Sequence, residues 1–518
     1  MVNLSDNLFW QARERGDKVA LIYEEDKWTF TQIAETVKRY AGGLKSCGVE
    51  PGTRVALMCS SRPEFIFMQQ AVYALGATLI PLNIFYRRLD LLHALSCCDV
   101  EILIIDREYV ENLPNPKDLP SLRKILAFGG EVEGADPAEA VPTLGTPITA
   151  TFKMHPTSVG MMLNTSATTG KAKAVMLSVA NLQANYDPTA EWLGLDENCV
   201  ILCVLPLYNT FGLNQGINAM LVSGGTLVLL PKFDADVCLN AIEQHGCTFL
   251  PMVPTMLQRI VDHPEVDRCD LSSVSRILTG AAPVPAALLE RIYKLMGTQT
   301  AVMTAYGLTE ASAIVTLEHV ELTNDGQIKR PKSIGSVLPG MKMCIMREDS
   351  SICAANEVGE ICINGPNVML GYFREPGETA YVLNGEWLRS GDLGYLDENG
   401  NGYIVDRKKD VIIRGGQNVY PADIEEVLYF IEGVREAAVV GEEHNYLGQV
   451  PVAYVVLAPD SKITADDLMA RCKADLAYYK VPKSYHIMDV LPKGPTGKIL
   501  RRGLRPVSKI FSERNATE

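Results

Sequence analysis

The sequence lacks the cysteine and histidine patterns that mark metal and redox proteins. Its 13 cysteines include no CxxC pair, only Cys97 and Cys98 are adjacent, and its seven histidines show no HExxH spacing. These absences argue against a structural zinc site and against a thioredoxin-like redox motif. Scattered thiols of this kind indicate a reducing compartment, and we expect most of them to be small buried apolar residues.

Positive charge and long apolar runs are also scarce. Lysine and arginine total 48 against 62 acidic residues, a net charge of -14, which argues against a nucleic-acid or anionic-membrane partner. The first 25 residues lack the apolar core of a signal peptide, and the most apolar stretch, 217–230, is interrupted by Gly224 and Gly225. That stretch predicts a buried helix followed by a strand. We expect a cytoplasmic protein and leave a homodimer open.

The chain of 518 residues, 47% hydrophobic and 21% charged, is too long for one globular core. Short Val/Ile/Leu runs alternate with amphipathic stretches in the first 320 residues, which indicates an α/β fold with largely parallel sheets. Turn-rich short strands at about 330–405 predict a small β-barrel or an antiparallel sheet, and the pattern is α+β afterwards. We expect a large N-terminal domain, 1–408, and a smaller C-terminal domain, 409–518. The charged, glycine-bearing segment 406–420 has the composition of a hinge between them.

A hydroxyl-rich loop, N-T-S-A-T-T-G-K-A-K-A-V-M at 164–176, is the strongest local signal. Backbone N–H groups and Ser/Thr hydroxyls suit the oxygens of a polyphosphate, and two lysines offset its charge. The loop is not the GxxxxGK[ST] motif, because position 165 is Thr and Ala172 follows Lys171. Taken alone, a polar surface turn remains an equal alternative.

Three further segments carry chemistry-bearing side chains. The segment A-Y-G-L-T-E-A-S at 305–312 combines an aromatic face, a hydroxyl and a carboxylate, which suit a base, a phosphate and Mg²⁺, although such a turn is more often structural. Asp392 in S-G-D is suited to a ribose diol, and it precedes a basic cluster at 406–421 that also fits a solvated loop. P-K-G-P-T-G-K at 492–498 ends in Lys498 on a glycine-flexible turn, a position that is usually plain surface.

Together and in this order, the segments resemble the adenylate-forming superfamily of acyl- and aryl-CoA synthetases, adenylation domains and luciferases. The resemblance covers essentially the whole chain and includes the segments 76–83, 205–212, 280–283 and 335–340. It implies that a carboxylic acid attacks the α-phosphate of Mg·ATP to give an acyl-adenylate and pyrophosphate. The small domain then rotates, and coenzyme A takes the acyl group as a thioester with release of AMP. The expected partners are therefore a small or medium carboxylic acid, ATP (or acyl-AMP), Mg²⁺ and coenzyme A.

The resemblance also assigns roles to individual positions of this sequence. Thr309 would meet the α-phosphate, Glu310 would hold Mg²⁺, Lys409 would be the hinge residue, and Lys498 would stabilise the adenylation transition state. The remaining implied residues form four groups: a phosphate loop of Thr165, Ser166, Thr168, Thr169, Gly170 and Lys173; a nucleoside site of Gly280, Ala281, Ala282, Tyr306, Gly307, Asp392 and Arg407; a coenzyme A face at Gly415 and Gly416; and an acyl pocket near Tyr208, Asn209 and Phe211.

This sequence departs from the family pattern in its phosphate loop. Ala167, Ala172 and Ala174 stand where the family has glycine, proline and glycine, Val179 replaces a frequent histidine, and Tyr208-Asn209 replaces an aromatic–histidine pair. Alanine at a glycine position that needs positive φ costs about 1 kcal/mol. One alternative is therefore an enzyme that only converts a preformed acyl-AMP into the thioester. Loading of a carrier protein in trans and a non-catalytic nucleotide-binding relative also stay open.

Overall fold

The runs that the sequence marks as buried strands do form parallel sheets. The computed structural model describes residues 2–165, 173–459, 461–493 and 499–504. The strands in chain order are β1 Val19–Tyr23, β2 Asp26–Thr29, β3 Arg54–Met58, β4 Thr78–Pro81, β5 Ile102–Asp106, β6 Lys124–Phe128, β7 Asp136–Pro137, β8 Val159–Asn164, β9 Ala174–Ser178, β10 Val200–Cys203, β11 Thr226–Leu229, β12 Phe249–Met252, β13 Arg276–Gly280, β14 Ala301–Leu308, β15 Ala313–His319, β16 Ser333–Val337, β17 Lys342–Met346, β18 Gly359–Asn364, β19 Gly371–Tyr372, β20 Leu383–Asn384, β21 Trp387–Leu396, β22 Gly402–Arg407, β23 Ile412–Arg414, β24 Gln417–Val419, β25 Val434–His444, β26 Gly448–Leu457 and β27 Ser484–Met488.

Helices cover these sheets. The α-helices are α1 Asp6–Glu14, α2 Phe30–Ser46, α3 Pro63–Ala74, α4 Arg88–Cys97, α5 Val179–Tyr186, α6 Thr189–Leu193, α7 Thr210–Gly212, α8 Ala219–Ser223, α9 Ala235–His245, α10 Pro254–Val261, α11 Ala286–Met296, α12 Pro376–Val382, α13 Pro421–Tyr429 and α14 Ala465–Asp475. A π-helix, Leu213–Asn218, joins α7 to α8. The shorter 3₁₀ turns are Arg107–Asn112, Pro116–Asp118, Ala138–Thr143, Val266–Arg268, Thr309–Ala311 and Arg501–Leu504.

Two large sheets form the N-terminal part of the chain. One has the order β17-β18-β21-β22-β16-β15-β14-β13-β12-β10-β11-β1-β2, with β20 paired to β21, and the other has the order β19-β9-β8-β4-β3-β5-β6-β7. Pairing is parallel from β1 through β11, β10, β12 and β13 to β14. Every residue of β4, β5 and β12 is buried, which confirms strands covered on both faces. One hydrophobic cluster, which includes Phe30, Phe65 and Tyr73, draws on both sheets.

The turn-rich region after residue 330 adopts the antiparallel form. Strands β17, β18, β21, β22 and β16 pair antiparallel in one path, and β16 joins that path to β15 of the large sheet. The segment 217–230 is a buried helix followed by strand β11, as the sequence predicts. In the described part of the chain, no helix is both long and apolar enough to cross a membrane.

The C-terminal part has its own sheet and its own hydrophobic cluster. The sheet order is β24-β23-β26-β25, with β27 beside β26, and α13 and α14 pack on it. Ile412, Ile424, Leu428 and Val455 lie in the core of this unit. The last strand of the large sheet, β22, ends at Arg407, and the first strand of the small sheet begins at Ile412.

Local sequence explains where several of these elements begin and end. Thr29 caps α2 and accepts from the Gln32 N–H at 3.2 Å, while the Gln32 side chain accepts from the Thr29 N–H at 2.8 Å. Asp234 caps α9, which ends at the left-handed Gly246. The cysteines are free thiols, and all but Cys97, Cys269 and Cys353 are buried, which confirms their expected role as small apolar residues.

Candidate active site

The carboxyl ends of four neighbouring parallel strands bring the predicted segments to one edge of the large sheet. Strand β10 precedes the segment 205–212, β13 ends at Gly280, and β14 ends within the segment 305–312. The order β10-β12-β13-β14 places these ends side by side. This edge is where ligands bind in open α/β sheets.

Asp392 joins this edge from β21. Tyr306 Oη donates a hydrogen bond to Asp392 Oδ2 at 2.8 Å, and Arg407 Nε lies 3.2 Å from Asp392 Oδ1. Tyr306 and Asp392 are buried, at 7% and 6% exposure, whereas half of the Arg407 side chain is exposed. Burial, reinforced by the Asp392 charge, raises the pKa of Tyr306, so that the phenol remains a neutral donor. The structure thus brings together three of the residues expected at the nucleoside site.

Glu310 lies in a short 3₁₀ turn directly after β14. Its Oε1 accepts a hydrogen bond from Tyr372 Oη at 3.0 Å, which orients the carboxylate. Burial raises the pKa of Glu310, because the charged form loses solvation. A cation bound there would compensate that loss. Thr309 begins the same turn and directly precedes Glu310 in the chain.

Two features of the backbone shape this edge, one close contact and one positive φ angle. A Cβ on Gly307 would lie 1.6 Å from the Ala313 carbonyl oxygen, so only glycine fits between β14 and β15. Ala281, which follows β13, adopts φ +65°, a left-handed conformation that costs a non-glycine residue about 1–2 kcal/mol. Strained residues of this kind concentrate at functional sites. Ala282 follows Ala281 and is partly exposed at the same edge.

The described ends of the phosphate loop are Thr165 and Lys173. The Thr165 N–H donates to the Lys173 carbonyl oxygen at 3.0 Å, which brings the two ends of the loop together. The Lys173 ammonium forms an ion pair with Glu378 and lies 5.0 Å from the centre of the Tyr372 ring. Four expected phosphate-loop residues lie outside the described residues: Ser166, Thr168, Thr169 and Gly170.

The condition for backbone strain is not met at one of the three alanine substitutions. Ala174 lies in β9, paired with Asn164 of β8, and is absent from the positive-φ residues of the described chain. An extended strand position accepts alanine, so Ala174 carries no cost of a left-handed backbone. Ala167 and Ala172 lie outside the described residues.

The expected acyl segment begins with a buried aromatic residue. Tyr208 is 6% exposed, Asn209 is half-buried, and Phe211 packs against the main hydrophobic cluster. The chain then continues into the π-helix Leu213–Asn218, a rare element that often marks functional sites.

The C-terminal candidates lie apart from the Tyr306 edge in sequence, and two of them, Gly415 and Gly416, belong to the small sheet. Gly415 and Gly416 form the turn between β23 and β24 with φ of +57° and +81°, so both glycines adopt the left-handed conformation that glycine favours. Lys409 is exposed between β22 and β23. Lys498 lies outside the described residues.

A buried carboxylate links the two parts of the chain. Asp406 in β22 is 5% exposed, and its Oδ2 accepts from the Ala422 N–H at 3.0 Å in the first turn of α13. Arg501 donates to Glu425 at 2.7 Å and lies 3.3 Å from Asp410. These contacts hold the start of α13 against the end of β22.

Three side chains in or near the predicted segments were not singled out from the sequence, although Gln215 lies within the stretch 208–216 that was expected to line the acyl pocket. Tyr372 contacts both Glu310 and Lys173, Glu378 neutralises Lys173, and Gln215 lies buried in the π-helix. Tyr372 and Glu378 have no local signature, because their partners are distant in sequence. For Gln215 a signal existed: three amides, at 214, 215 and 218, interrupt an otherwise apolar run.

Comparison with known proteins identifies the family of this chain. The family model of the AMP-binding enzymes matches residues 8–373, and that of the AMP-binding enzyme C-terminal domain matches residues 423–498. The chain is 34% identical to a 3-[(3aS,4S,7aS)-7a-methyl-1,5-dioxo-octahydro-1H-inden-4-yl]propanoyl:CoA ligase of Rhodococcus jostii (strain RHA1), over 96% of this chain and 97% of that relative.

Solved structures show the same likeness over the whole chain. An o-succinylbenzoate CoA synthetase from Bacillus subtilis in complex with its acyl-adenylate intermediate is 30% identical, with a TM-score of 0.85 over 98% of this chain and 99% of that one. The same synthetase in complex with ATP and magnesium ion has a TM-score of 0.84 at 30% identity, over 96% of this chain and 98% of that one. The chain therefore belongs to the AMP-binding enzyme family, among its AMP-forming acid–CoA ligases.

Proposed function

We propose that the edge around Tyr306 and Asp392 is the active site at which this acyl-CoA synthetase makes and consumes an acyl-adenylate. A carboxylic acid attacks the α-phosphate of ATP, pyrophosphate leaves, and the thiol of coenzyme A then displaces AMP to give the thioester. The observation that carries the assignment is the buried Tyr306–Asp392–Arg407 group beside Glu310. Relatives solved with an acyl-adenylate and with ATP and magnesium support it.

The nucleoside end of the site consists of a carboxylate that is already oriented. Asp392 is held by Tyr306 on one oxygen and by Arg407 on the other, and a carboxylate has lone pairs left for the two ribose hydroxyls. Tyr306 and Gly307 flank the adenine together with Gly280, which ends the next strand, and with Ala281 and Ala282, which follow that strand. Arg407 is exposed enough to reach a ribose or phosphate oxygen.

The phosphate end is organised around Glu310. Mg²⁺ binds proteins through one or two carboxylates together with substrate phosphates, and Glu310 has a carboxylate that Tyr372 orients and that burial leaves short of solvation. When bound, Mg²⁺ neutralises charge on the phosphate oxygens. Thr309 donates its hydroxyl to the α-phosphate, and Thr165 and Lys173 flank the polyphosphate with Ser166, Thr168, Thr169 and Gly170.

The C-terminal residues 409–518 are proposed to act as one mobile cap, with Lys409 as the hinge. Two observations support this: their sheet has its own hydrophobic cluster, and the chain leaves the large sheet at Arg407. In one orientation Lys498 would serve adenylation; in the other, the Gly415–Gly416 turn would present its backbone to the pantetheine arm. A cytoplasmic location suits the unpaired thiols, and a homodimer stays a prediction.

One observation favours a second candidate, an enzyme restricted to the thioester-forming step. Lys173, which should neutralise the triphosphate, is paired with Glu378. ATP would have to compete with that carboxylate, whereas an acyl-AMP without β- and γ-phosphates would not.

Two assays across a panel of carboxylic acids separate these candidates. Pyrophosphate exchange measures adenylation, and thioester formation from synthetic acyl-AMP with coenzyme A measures the second step. Activity in both supports the complete ligase. Activity in the second assay alone supports the restricted enzyme, and nucleotide binding without either activity would contradict both.

A further inference from the structure

The π-helix Leu213–Asn218 contains a glutamine whose polar atoms are buried without partners. Gln215 is 0% exposed. Neither its Oε1 nor its Nε2 has a hydrogen-bond partner among the residues that the structure describes. Buried polar groups are nearly always hydrogen-bonded, because leaving them unpaired after removal from water is unfavourable. A buried amide whose oxygen and nitrogen both lack partners therefore indicates that a ligand or a water molecule forms the missing hydrogen bonds.

The neighbouring amides show that the helix itself does not prevent pairing. Asn214 Nδ2 donates to Asn185 Oδ1 at 2.8 Å, and Asn214 Oδ1 accepts from Asn218 Nδ2 at 2.9 Å and from Thr189 Oγ1 at 3.1 Å. These side chains satisfy one another inside the protein. Gln215, one residue along the same helix, takes no part in their network.

The same network joins the π-helix to the strand pair that carries Tyr306. Asn185 Nδ2 donates to the Ile314 carbonyl oxygen at 2.7 Å, and Ile314 of β15 lies opposite Gly307 of β14. The helix also follows β10, whose carboxyl end lies at the active-site edge. The helix that carries Gln215 is therefore tied to this edge, within the segment expected to line the acyl pocket.

We propose that Gln215 is a specificity residue that binds a keto or hydroxyl oxygen in the carbon skeleton of the acid substrate. A keto oxygen would accept from Nε2, and a hydroxyl group would also donate to Oε1, so either removes an unpaired atom. A hydrocarbon skeleton would leave both Oε1 and Nε2 of Gln215 without a hydrogen bond. The inference rests on the proposed function and narrows its substrate class to oxygen-bearing carboxylic acids.

The size of the expected preference follows from that asymmetry. A site built to hydrogen-bond a substrate group rejects the analogue without that group far more strongly than an apolar pocket rejects one additional methylene. We expect kcat/KM to favour the keto or hydroxy acid over its methylene counterpart by about 10–100-fold or more.

The experiment measures thioester formation with matched acid pairs, linear, alicyclic and aromatic, in which a carbonyl or hydroxyl is replaced by CH₂ or H. Gln215→Met keeps the side-chain length and removes the polar atoms. It should reduce the preference at least tenfold while kcat/KM for the hydrocarbon acid is kept or rises. Gln70→Met is the control, because Gln70 on α3 is 2% exposed and has an equally unpartnered Oε1. The control should leave the preference unchanged.

Three results would overturn the inference. The first is a wild-type enzyme that prefers the hydrocarbon acid, or shows no preference, in every pair. This result uses the wild-type protein alone and so does not depend on whether a variant folds. Another is a folded Gln215→Met protein that loses equal activity on both members of each pair, as expected if a trapped water satisfies the amide. If no acid gives adenylate or thioester at all, the proposed function is contradicted as well. If the Gln215→Met enzyme is active and keeps the wild-type preference for oxygen-bearing acids, only the role of Gln215 is contradicted.

Discussion

The edge around Tyr306 and Asp392, called the nucleoside edge, and the π-helix Leu213–Asn218, called the acyl helix, differ in how completely their polar side chains are hydrogen-bonded. At the nucleoside edge, Asp392 is held on both oxygens and Glu310 is oriented by Tyr372. In the acyl helix, Gln215 has no partner in the described chain. On the proposed function, the first region would bind the nucleotide that every reaction cycle uses, and the second would leave Gln215 available to recognise the variable part of the substrate.

Removal of Asp392 should have the largest effect on activity, because it removes the carboxylate on which the hydrogen bonds of the nucleoside edge converge. Asp392→Ala leaves Tyr306 buried without an acceptor and Arg407 without its ion partner. We expect kcat/KM for ATP in pyrophosphate exchange to fall on the order of 10²–10³-fold. Glu398→Gln, an exposed change in the adjacent hairpin, should have no effect. A loss of less than tenfold in folded protein would contradict the assignment.

Glu310→Gln tests whether the phosphate end is specialised for the first step. Loss of the carboxylate charge should lower pyrophosphate exchange about 10²-fold and raise the magnesium concentration needed for half-maximal rate, because the amide is a weaker ligand. Thioester formation from preformed acyl-AMP should change much less. Tyr372→Phe, which removes only the orienting hydrogen bond, should give the same pattern with a smaller loss. An equal loss of rate in pyrophosphate exchange and in thioester formation would contradict the role of Glu310 as a magnesium ligand.

Glu378→Gln tests whether Lys173 is held back from the triphosphate. The Lys173 side chain is 21% exposed and that of Glu378 is 46% exposed, so loss of this partly exposed ion pair should change little in stability. Freed from Glu378, Lys173 should bind phosphate better, and we expect KM for ATP to fall about two- to fivefold at similar kcat. Lys173→Met in the same assay should raise KM. A KM for ATP that is unchanged in Glu378→Gln would show that the pair does not compete with nucleotide.

Asp406→Asn tests a third buried polar group, a carboxylate that accepts a hydrogen bond from the Ala422 N–H. Burial raises the pKa of Asp406 to about 6, above its unfolded value of about 3.9. The folded state therefore binds this proton more tightly, and that stabilisation is complete below about pH 4 and is lost as pH rises through about 6. The asparagine variant does not titrate and keeps an acceptor for the Ala422 N–H.

Relative to wild type, Asp406→Asn should therefore gain unfolding free energy between pH 4 and pH 7, at most about 3 kcal/mol. Denaturant unfolding at several pH values measures this difference. Glu432→Gln, an exposed change in the same part of the chain, should give a flat difference. A flat difference for Asp406→Asn would contradict the raised pKa.

Much of the fold and part of the site could be predicted because local sequence carries the signals. Val/Ile/Leu runs predicted the buried strands β3, β5, β10 and β11, which the structure confirms. The order of the motifs indicated the family, which the matched family models confirm. The sequence left open whether Ala174 is strained, because a glycine in a family motif does not show whether its backbone is left-handed. In the structure the position is an ordinary strand residue.

The sequence by itself determined the strand and helix periods, the tight Gly415–Gly416 turn and the residue types available for nucleotide chemistry. Only the tertiary structure decided which of them meet. Tyr306 and Asp392 are 86 residues apart, Glu310 and Tyr372 are 62 apart, and Lys173 and Glu378 are 205 apart. Hydrophobic periodicity and turn chemistry act over a few residues, whereas these contacts depend on how strands are ordered in a sheet. Whether a buried amide such as Gln215 finds a partner depends on that same long-range packing.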